Sequence, residues 1–281
     1  MAAQDRVRAA AVAGLFYPDD PVALRSRVEA LLAAAPGPAA TAAGRPAATP
    51  KVPKAPKALI APHAGYAYSG PIAASAFSAL AGAAGGPRRV VLLGPSHRVP
   101  LRGLGLPGAE SFATPLGRVQ LDLDAMAAVA RLPQVALRPD AHEGEHSLEV
   151  ELPFLQVVLG TFQLLPLVVG DAGGEEVAEV LEQVWGDEDT VLVISSDLSH
   201  YLPAAAAEQA DRATASQILA LAGPLTSRQA CGAVPINGLL AAARRHGLMP
   251  RQLDLRHSGD TSGDRSRVVG YGAWAFDADA G

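Results

Sequence analysis

The sequence has a single cysteine among its 281 residues, so the chain cannot form an intramolecular disulfide. This excludes a small secreted scaffold held together by disulfides and favours a reducing compartment. The N-terminal stretch has charges within its apolar part and lacks the continuous apolar core of a signal peptide. We therefore predict a cytoplasmic protein.

Long apolar runs and blocks of basic residues are also missing. No uncharged apolar window reaches the roughly 18 residues that a membrane span needs, and the run at residues 162–170 is interrupted by Pro166. The net charge is −5, and lysine and arginine do not cluster in a strip or a tail. Because nucleic-acid binding needs a concentrated basic surface, we expect neither a nucleic-acid partner nor a membrane.

Apolar residues make up 49% of the chain, which is enough to bury a sizeable core without disulfides. Short apolar runs, typical of buried strands, cover residues 58–61, 90–93, 164–169, 191–194 and 268–275. Helical stretches alternate with them and cover residues 22–32, 72–84, 124–131, 147–159, 175–185, 204–221 and 235–246. The alternation predicts the α/β class: a single-domain layered sandwich around a mixed, largely parallel sheet.

One segment does not follow the alternation. Residues 36–57 are rich in alanine and proline and carry no apolar period. We interpret them as a flexible excursion within one domain that spans residues 1–281, because such a composition favours extended linkers over packed elements.

Histidines follow three of the predicted strands, directly or within a few residues of the strand end. They are His63 after the first run, His97 after the second and His200 after the fourth. Because ligands of open α/β sheets bind beyond the carboxyl ends of parallel strands, we expect the three imidazoles to share one edge. A single histidine at a strand end is more often a solvated loop residue, and that alternative stays open for each of them.

Cys231 is the second feature, since it lies just before the predicted helix at residues 235–246. A thiol at a helix N-terminus or beside a metal has its thiolate form favoured, although a lone cysteine is more often a buried small apolar residue. Two imidazoles and a thiolate form a plausible metal set for iron, copper, nickel or zinc. Three protein ligands would leave positions open for a reactant.

Residues 142–146 match the zinc-protease pattern H-E-x-x-H. That chemistry needs one helix with both histidines on the same face, yet Gly144 lies in the middle and the apolar helical period starts only later. We expect His142 and His146 to straddle a loop and a helix start, which makes a zinc hydrolase the weaker hypothesis. A residue of this loop could still carry protons or orient a ligand.

Seven motifs occur in an order that resembles the Memo family, whose bacterial and archaeal members are called AmmeMemoRadiSam system protein B. The resemblance extends from about Val7 to Phe276, outside the alanine- and proline-rich excursion. The motifs are AGLFYP, PHAGYAYSG, LLGPSH, EHSLEVELPFL, SSDLSHY, CGAVPI and SGDTSGD with VVGYGAWAF. The family is similar in fold to LigB-type extradiol dioxygenases, which bind non-haem iron.

The resemblance implies a metal site lined by His63, His97 and Cys231, with Fe(II) expected and copper or zinc as alternatives. It also implies that His200 corresponds to the acid/base histidine of the dioxygenases. We expect Asp197 and His146 to orient that histidine or a metal-bound water.

Two functions follow as hypotheses. The first is a metal-dependent oxidoreductase with dioxygenase-like chemistry on a small organic substrate. The second is a metal-binding or peptide-binding protein without turnover, acting in a system whose name implies AMMECR-type and radical-SAM partners.

Overall fold

A computed structural model of the chain describes residues 6–36, 54–81 and 88–278. Within these ranges the strands are β1 (Val7–Arg8), β2 (Ala58–Ala61), β3 (Arg89–Pro95), β4 (Leu104–Leu106), β5 (Ser111–Thr114), β6 (Gly117–Leu121), β7 (Val135–Leu137), β8 (Gln163–Val169), β9 (Thr190–Ser195), β10 (His200–Leu202), β11 (Leu248–His257) and β12 (Val268–Ala278). All of them belong to one 12-stranded sheet.

The helices in the described ranges alternate with these strands. They are α1 (Pro21–Ala34), α2 (Gly70–Phe77), α3 (Leu123–Val129), α4 (Pro139–Glu143), α5 (Leu152–Leu159), α6 (Gly174–Gln183), α7 (Ala204–Leu219), α8 (Ala233–Arg245) and α9 (Gly259–Ser262). Short 3-10 turns cover Ser78–Leu80 and Glu149–Glu151. None of these helices is long and apolar enough to cross a membrane.

The middle of the sheet is parallel, and antiparallel strand pairs flank it. Strands β6, β8, β3, β9 and β2 lie side by side in that order with parallel pairing. Strand β12 then pairs antiparallel with β2, β10 and β11, and β5 pairs antiparallel with β6. The predicted α/β class with a mixed, largely parallel sheet is confirmed.

Strand β3 shows why its sequence is continuously apolar. Val90 and Leu92 pack into one hydrophobic layer, with α1, α2 and α5, whereas Val91 and Leu93 pack into the other, with α6 and α8. Successive side chains of a strand point to opposite faces, so a strand covered on both faces needs apolar residues at every position.

The predicted element bounds agree with the structure to different degrees. Helices α6, α7 and α8 begin and end within two residues of their predicted bounds. The helix predicted at residues 147–159 begins only at Leu152, because the chain first makes the 3-10 turn Glu149–Glu151. The short strands β4 to β7 were not predicted. Most of the excursion at residues 36–57, and the end of the helix predicted at 72–84, lie outside the described residues.

Candidate metal site

The two histidines His63 and His97 reach the site from neighbouring parts of the sheet. His63 follows β2 and His97 follows β3, and β9 lies between these strands with parallel pairing to both. The three strand ends therefore share one edge, as predicted, because parallel strands end on the same side of a sheet.

A third imidazole, that of His146, joins them from the loop after α4. Ring centroids are 5.2 Å apart for His63 and His97, 5.5 Å for His63 and His146, and 4.7 Å for His97 and His146. One nitrogen of each ring lies within 4.8 Å of the other two, so the three histidines form a group that could hold a metal ion.

Cys231 lies beside this group, in the turn before α8. Its Sγ is 3.4 Å from Nε2 of His63 and accepts the backbone N–H of Asp197 at 3.3 Å. Tetrahedral zinc bonds of about 2.3 Å to sulfur and 2.1 Å to nitrogen would separate the two ligand atoms by about 3.6 Å. The sulfur–nitrogen contact is therefore compatible with two ligands of one ion.

The protonation of Cys231 depends on its burial as well as on its place before a helix. Burial, together with the charge of Asp197, raises the pKa of the Cys231 thiol to about 12. The thiol is consequently neutral at physiological pH unless a cation is bound beside it. Without a bound cation, burial outweighs the partial charge of a helix N-terminus.

Asp197 connects the ends of β2 and β9. Its Oδ1 accepts the backbone N–H of His63 at 2.9 Å, and its carbonyl oxygen accepts the backbone N–H of Cys231 at 3.2 Å. Burial, followed by the charges of His97 and His146, lowers the pKa of His63 well below its usual range. His63 is therefore the neutral imidazole that a metal requires.

Glu145 orients the other two histidines. Its carboxylate accepts the backbone N–H of His97 at 2.6 Å and Nδ1 of the same residue lies 3.0 Å away. It also accepts the backbone N–H groups of His146 and Ser147. Burial acts to raise the pKa of Glu145, but the neighbouring imidazoles and N–H groups outweigh it and lower the pKa well below its usual range.

The ionised Glu145 therefore accepts a hydrogen bond from Nδ1–H of His97, and Nε2 of His97 is left for a metal. Nδ1 of His146 lies 3.1 Å from the same carboxylate but is not directed at it, and this buried nitrogen has no hydrogen-bond partner.

A buried ion pair lies beneath the loop that contains Glu145. Arg8 pairs with Glu149, which also accepts the Tyr17 hydroxyl at 2.5 Å. Arg8 further donates to the carbonyl oxygens of His142 at 3.0 Å and of Glu145 at 2.5 Å. The N-terminal strand is thus joined to the loop that delivers His146. Sequence reasoning missed this pair, because nothing local to either residue indicates a contact across the chain.

The protease-like pattern does not form a shared helical face. Helix α4 ends at Glu143, and Nε2 of His142 contacts the carbonyl oxygen of Gly105 at 2.8 Å. Only His146 of the two histidines reaches the group at the strand ends. The expectation that the two histidines do not share one helix is confirmed, but the expected order was wrong: His142 lies in α4 and His146 follows in the loop, whereas the next helix begins only at Leu152.

His200 lies on β10, apart from the three-histidine group. Its side chain is exposed, and its ring centroid is 5.8 Å from that of Tyr201. It is close enough for its charge to act on Asp197 and His63. The chain continues from β9 into the short strand β10, which pairs with β12, so His200 lies on this strand and not directly at the end of β9.

These features define the class of protein as an α/β protein with a candidate mononuclear metal site at the carboxyl edge of its sheet. The chain belongs to the Memo family, because the family model described as "Memo-like protein" matches residues 8–275.

Curated relatives cover nearly the full chain. A MEMO1 family protein of Methanopyrus kandleri is 37% identical over 96% of this chain and 98% of its own. MEMO1 family proteins of Methanothermobacter thermautotrophicus and Aquifex aeolicus are each 36% identical, over 94% and 95% of this chain and 98% and 97% of their own. Among solved structures, an uncharacterized protein from Escherichia coli K12 has a TM-score of 0.42 and 14% identity, covering 67% of this chain and 86% of that one.

Proposed function

We propose that the chain binds one transition-metal ion through His63, His97 and Cys231, with His146 beside it, and acts as a metal-dependent oxidoreductase. The observation that carries the proposal is the group of three imidazole nitrogens within 4.8 Å of one another, with a thiol sulfur 3.4 Å from one of them. Neutral imidazoles and a thiol that can ionise on metal binding are the donors that late first-row ions prefer.

The donor set fits such an ion in a second respect. Nδ1 of His97 faces Glu145 and Nδ1 of His63 faces Ser195, so that Nε2 of each ring is left for a ligand bond. Hydrogen-bond partners of this kind are typical of metal-ligating histidines. Imidazole and thiolate suit Fe(II), copper and zinc, and the resemblance to non-haem iron dioxygenases favours Fe(II).

A bound ion would supply Lewis-acid or redox chemistry to an organic substrate at this edge of the sheet. Asp197 would hold the backbones of His63 and Cys231 at a fixed distance from each other, because it accepts the N–H groups of both. His200, which is exposed, would move protons between solvent and the reacting group, since an imidazole nitrogen can accept a proton and donate it again. A role for His146 as proton carrier requires that it stay free of the metal.

A second candidate is a metal-binding or peptide-binding protein without turnover, acting with AMMECR-type and radical-SAM partners. The exposed rings of Tyr68 and Tyr201 favour it, since 47% and 63% of these residues are exposed. Both tyrosines and Asp197 lie close enough to the buried Tyr271 to act electrostatically on it. Aromatic side chains of this kind supply anchors for a peptide.

Metal analysis after anaerobic purification without chelator tests the proposal. We expect about one metal ion per chain in the wild type and a loss in Cys231→Ser and His63→Gln. His246→Gln is the matched control, because His246 lies at the end of α8 and pairs with Glu182. A wild-type protein that takes up no iron, copper or zinc on reconstitution would contradict the proposal.

Cobalt substitution distinguishes the ligand sets His63, His97, Cys231 and His63, His97, His146. With the cysteine as ligand, the Co(II) protein should show a thiolate-to-metal charge-transfer band that disappears in Cys231→Ser and persists in His146→Gln. The opposite pattern would make the three histidines the ligands. His200→Gln should keep the metal, and oxygen uptake with catechols should separate the oxidoreductase from the non-catalytic alternative.

A further inference from the structure

The Ser195 hydroxyl, at the end of β9, has three close polar neighbours. Its Oγ lies 2.6 Å from the carbonyl oxygen of Ser147, 2.8 Å from Oε1 of Glu151 and 2.7 Å from Nδ1 of His63. All four residues are buried, with at most 1% of each exposed. Each distance is that of a full hydrogen bond, so each contact requires a proton of its own.

The protons of this cluster can be counted. A hydroxyl donates one hydrogen bond and accepts two, whereas a backbone carbonyl can only accept. The single proton of Ser195 must therefore go to the carbonyl of Ser147. The other two contacts must be donated towards Ser195, one by Nδ1–H of His63 and one by the carboxyl group of Glu151.

Glu151 can donate only if it is a neutral carboxylic acid. Its second oxygen, Oε2, is buried and has no hydrogen-bond partner. An ionised carboxylate would leave negative charge on that atom without any donor, which is far more costly than an unpaired carbonyl oxygen of a neutral acid. In agreement, burial raises the pKa of Glu151 well above its usual range.

We propose that Glu151 is a positioning residue that remains a neutral acid and, through Ser195, fixes His63 in the tautomer with a proton on Nδ1 and none on Nε2. The bare Nε2 then faces Cys231 at 3.4 Å, ready to bind an ion without first losing a proton. The part of this inference that concerns metal affinity rests on the proposed function. The proton count itself does not depend on it.

The proton count is tested in metal-free protein. The infrared spectrum in D2O should contain the carbonyl stretch of a buried carboxylic acid, and Glu151→Gln should remove it. Asp211→Asn is the control, since Asp211 is a buried carboxyl on α7 away from Ser195 and its change should leave that band in place. A spectrum that Glu151→Gln does not change would overturn the proposal.

The tautomer of His63 is read by nitrogen NMR of the same metal-free protein with labelled histidine. We expect protonated Nδ1 and bare Nε2 on His63 in the wild type and in Glu151→Gln, whose amide group can still donate to Ser195. A wild-type His63 with its proton on Nε2 would overturn the proposal, whatever the protein does with metals.

Metal competition assays then test the consequence for binding. Ser195→Ala should weaken the metal about 10- to 100-fold, and Glu151→Leu should weaken it less, because Nδ1–H keeps its acceptor there. Glu151→Gln should bind as the wild type does. Equal losses in Glu151→Gln and Glu151→Leu would mean that Glu151 acts as an acceptor and would overturn the proposal. If the wild type binds no metal, the proposed function fails while the spectra still decide the proton count.

Discussion

Glu145 and Glu151 lie close together in the chain and both support a histidine of the candidate site, but their surroundings are opposite. The Glu145 carboxylate contacts three backbone N–H groups and the imidazole of His97. Glu151 contacts one hydroxyl with one oxygen, and nothing with the other. The pKa of Glu145 is consequently lowered and that of Glu151 raised. The supply of donors, and not burial alone, decides the charge of a buried glutamate.

The site has two sides, Glu145 at His97 and Ser195 with Glu151 at His63, and both orient their histidine in the same way. Glu145 faces Nδ1 of His97, and Ser195 with Glu151 faces Nδ1 of His63. On the first side an anion accepts the Nδ1 proton; on the second a neutral hydroxyl does so. Of the two glutamates, only Glu145 therefore adds negative charge next to a bound cation.

Removal of the Arg8 guanidinium, which anchors the loop that contains Glu145, should have the largest effect on stability. Arg8→Met leaves Glu149 buried without a counter-ion and releases the carbonyl of Glu145, so the free energy of unfolding should fall by about 3–5 kcal/mol in urea titrations. Arg6→Met is the control, because Arg6 is exposed and its pair with Glu110 should contribute less than about 1 kcal/mol. Equal losses of unfolding free energy in both variants would show that the buried ion pair does not anchor the loop that contains Glu145.

The same isosteric change at the two glutamates should separate them next. Glu145→Gln removes the anion and leaves some of its N–H partners unpaired, so metal affinity should fall about 10- to 100-fold in chelator competition. Glu151→Gln should leave the affinity unchanged, since an amide can replace a neutral acid as donor. If the two variants lose affinity to the same extent, the contrast between the two sides is wrong.

Counted per pH unit, the smallest expected effect is the pH dependence of stability at Glu151. The pKa of Glu151 in the folded protein lies above the unfolded value of about 4.3. The free energy of unfolding of the wild type, relative to that of Glu151→Gln, is therefore highest below that pH. As the pH rises, the variant should gain stability relative to the wild type by up to about 1.4 kcal/mol per pH unit, until the folded pKa is reached. Urea titrations of metal-free protein between pH 4 and 8 measure this, and a constant difference would contradict a raised pKa.

Much of the fold follows from local patterns. The run at residues 58–61 is observed as β2 with the same bounds, because a strand covered on both faces needs an unbroken apolar run. Strands such as β4 and β7 were missed, since they are only 3 residues long and carry no period of their own. The convergence of His63 and His97 was predictable, because neighbouring parallel strands end at one edge.

Other features of the site could not be predicted in this way. His200 was expected with the other strand-end histidines, but its distance from them depends on the pairing of β10 with β12. His146 was expected to orient His200 or a metal-bound water, and its ring stacks on that of His97 at a centroid distance of 4.7 Å. That contact depends on how the loop after α4 docks on the N-terminal strand.

The amino-acid sequence by itself determined the α/β class, the strand ends that carry His63 and His97, and the membership in the Memo family. It did so because apolar periodicity and strand-end residues are local properties of the chain. Only the tertiary structure decided that the pKa of the Cys231 thiol is raised, that the pKa of Glu145 is lowered and that the pKa of Glu151 is raised. Protonation depends on the donors and the burial that distant segments supply, and no local pattern encodes these.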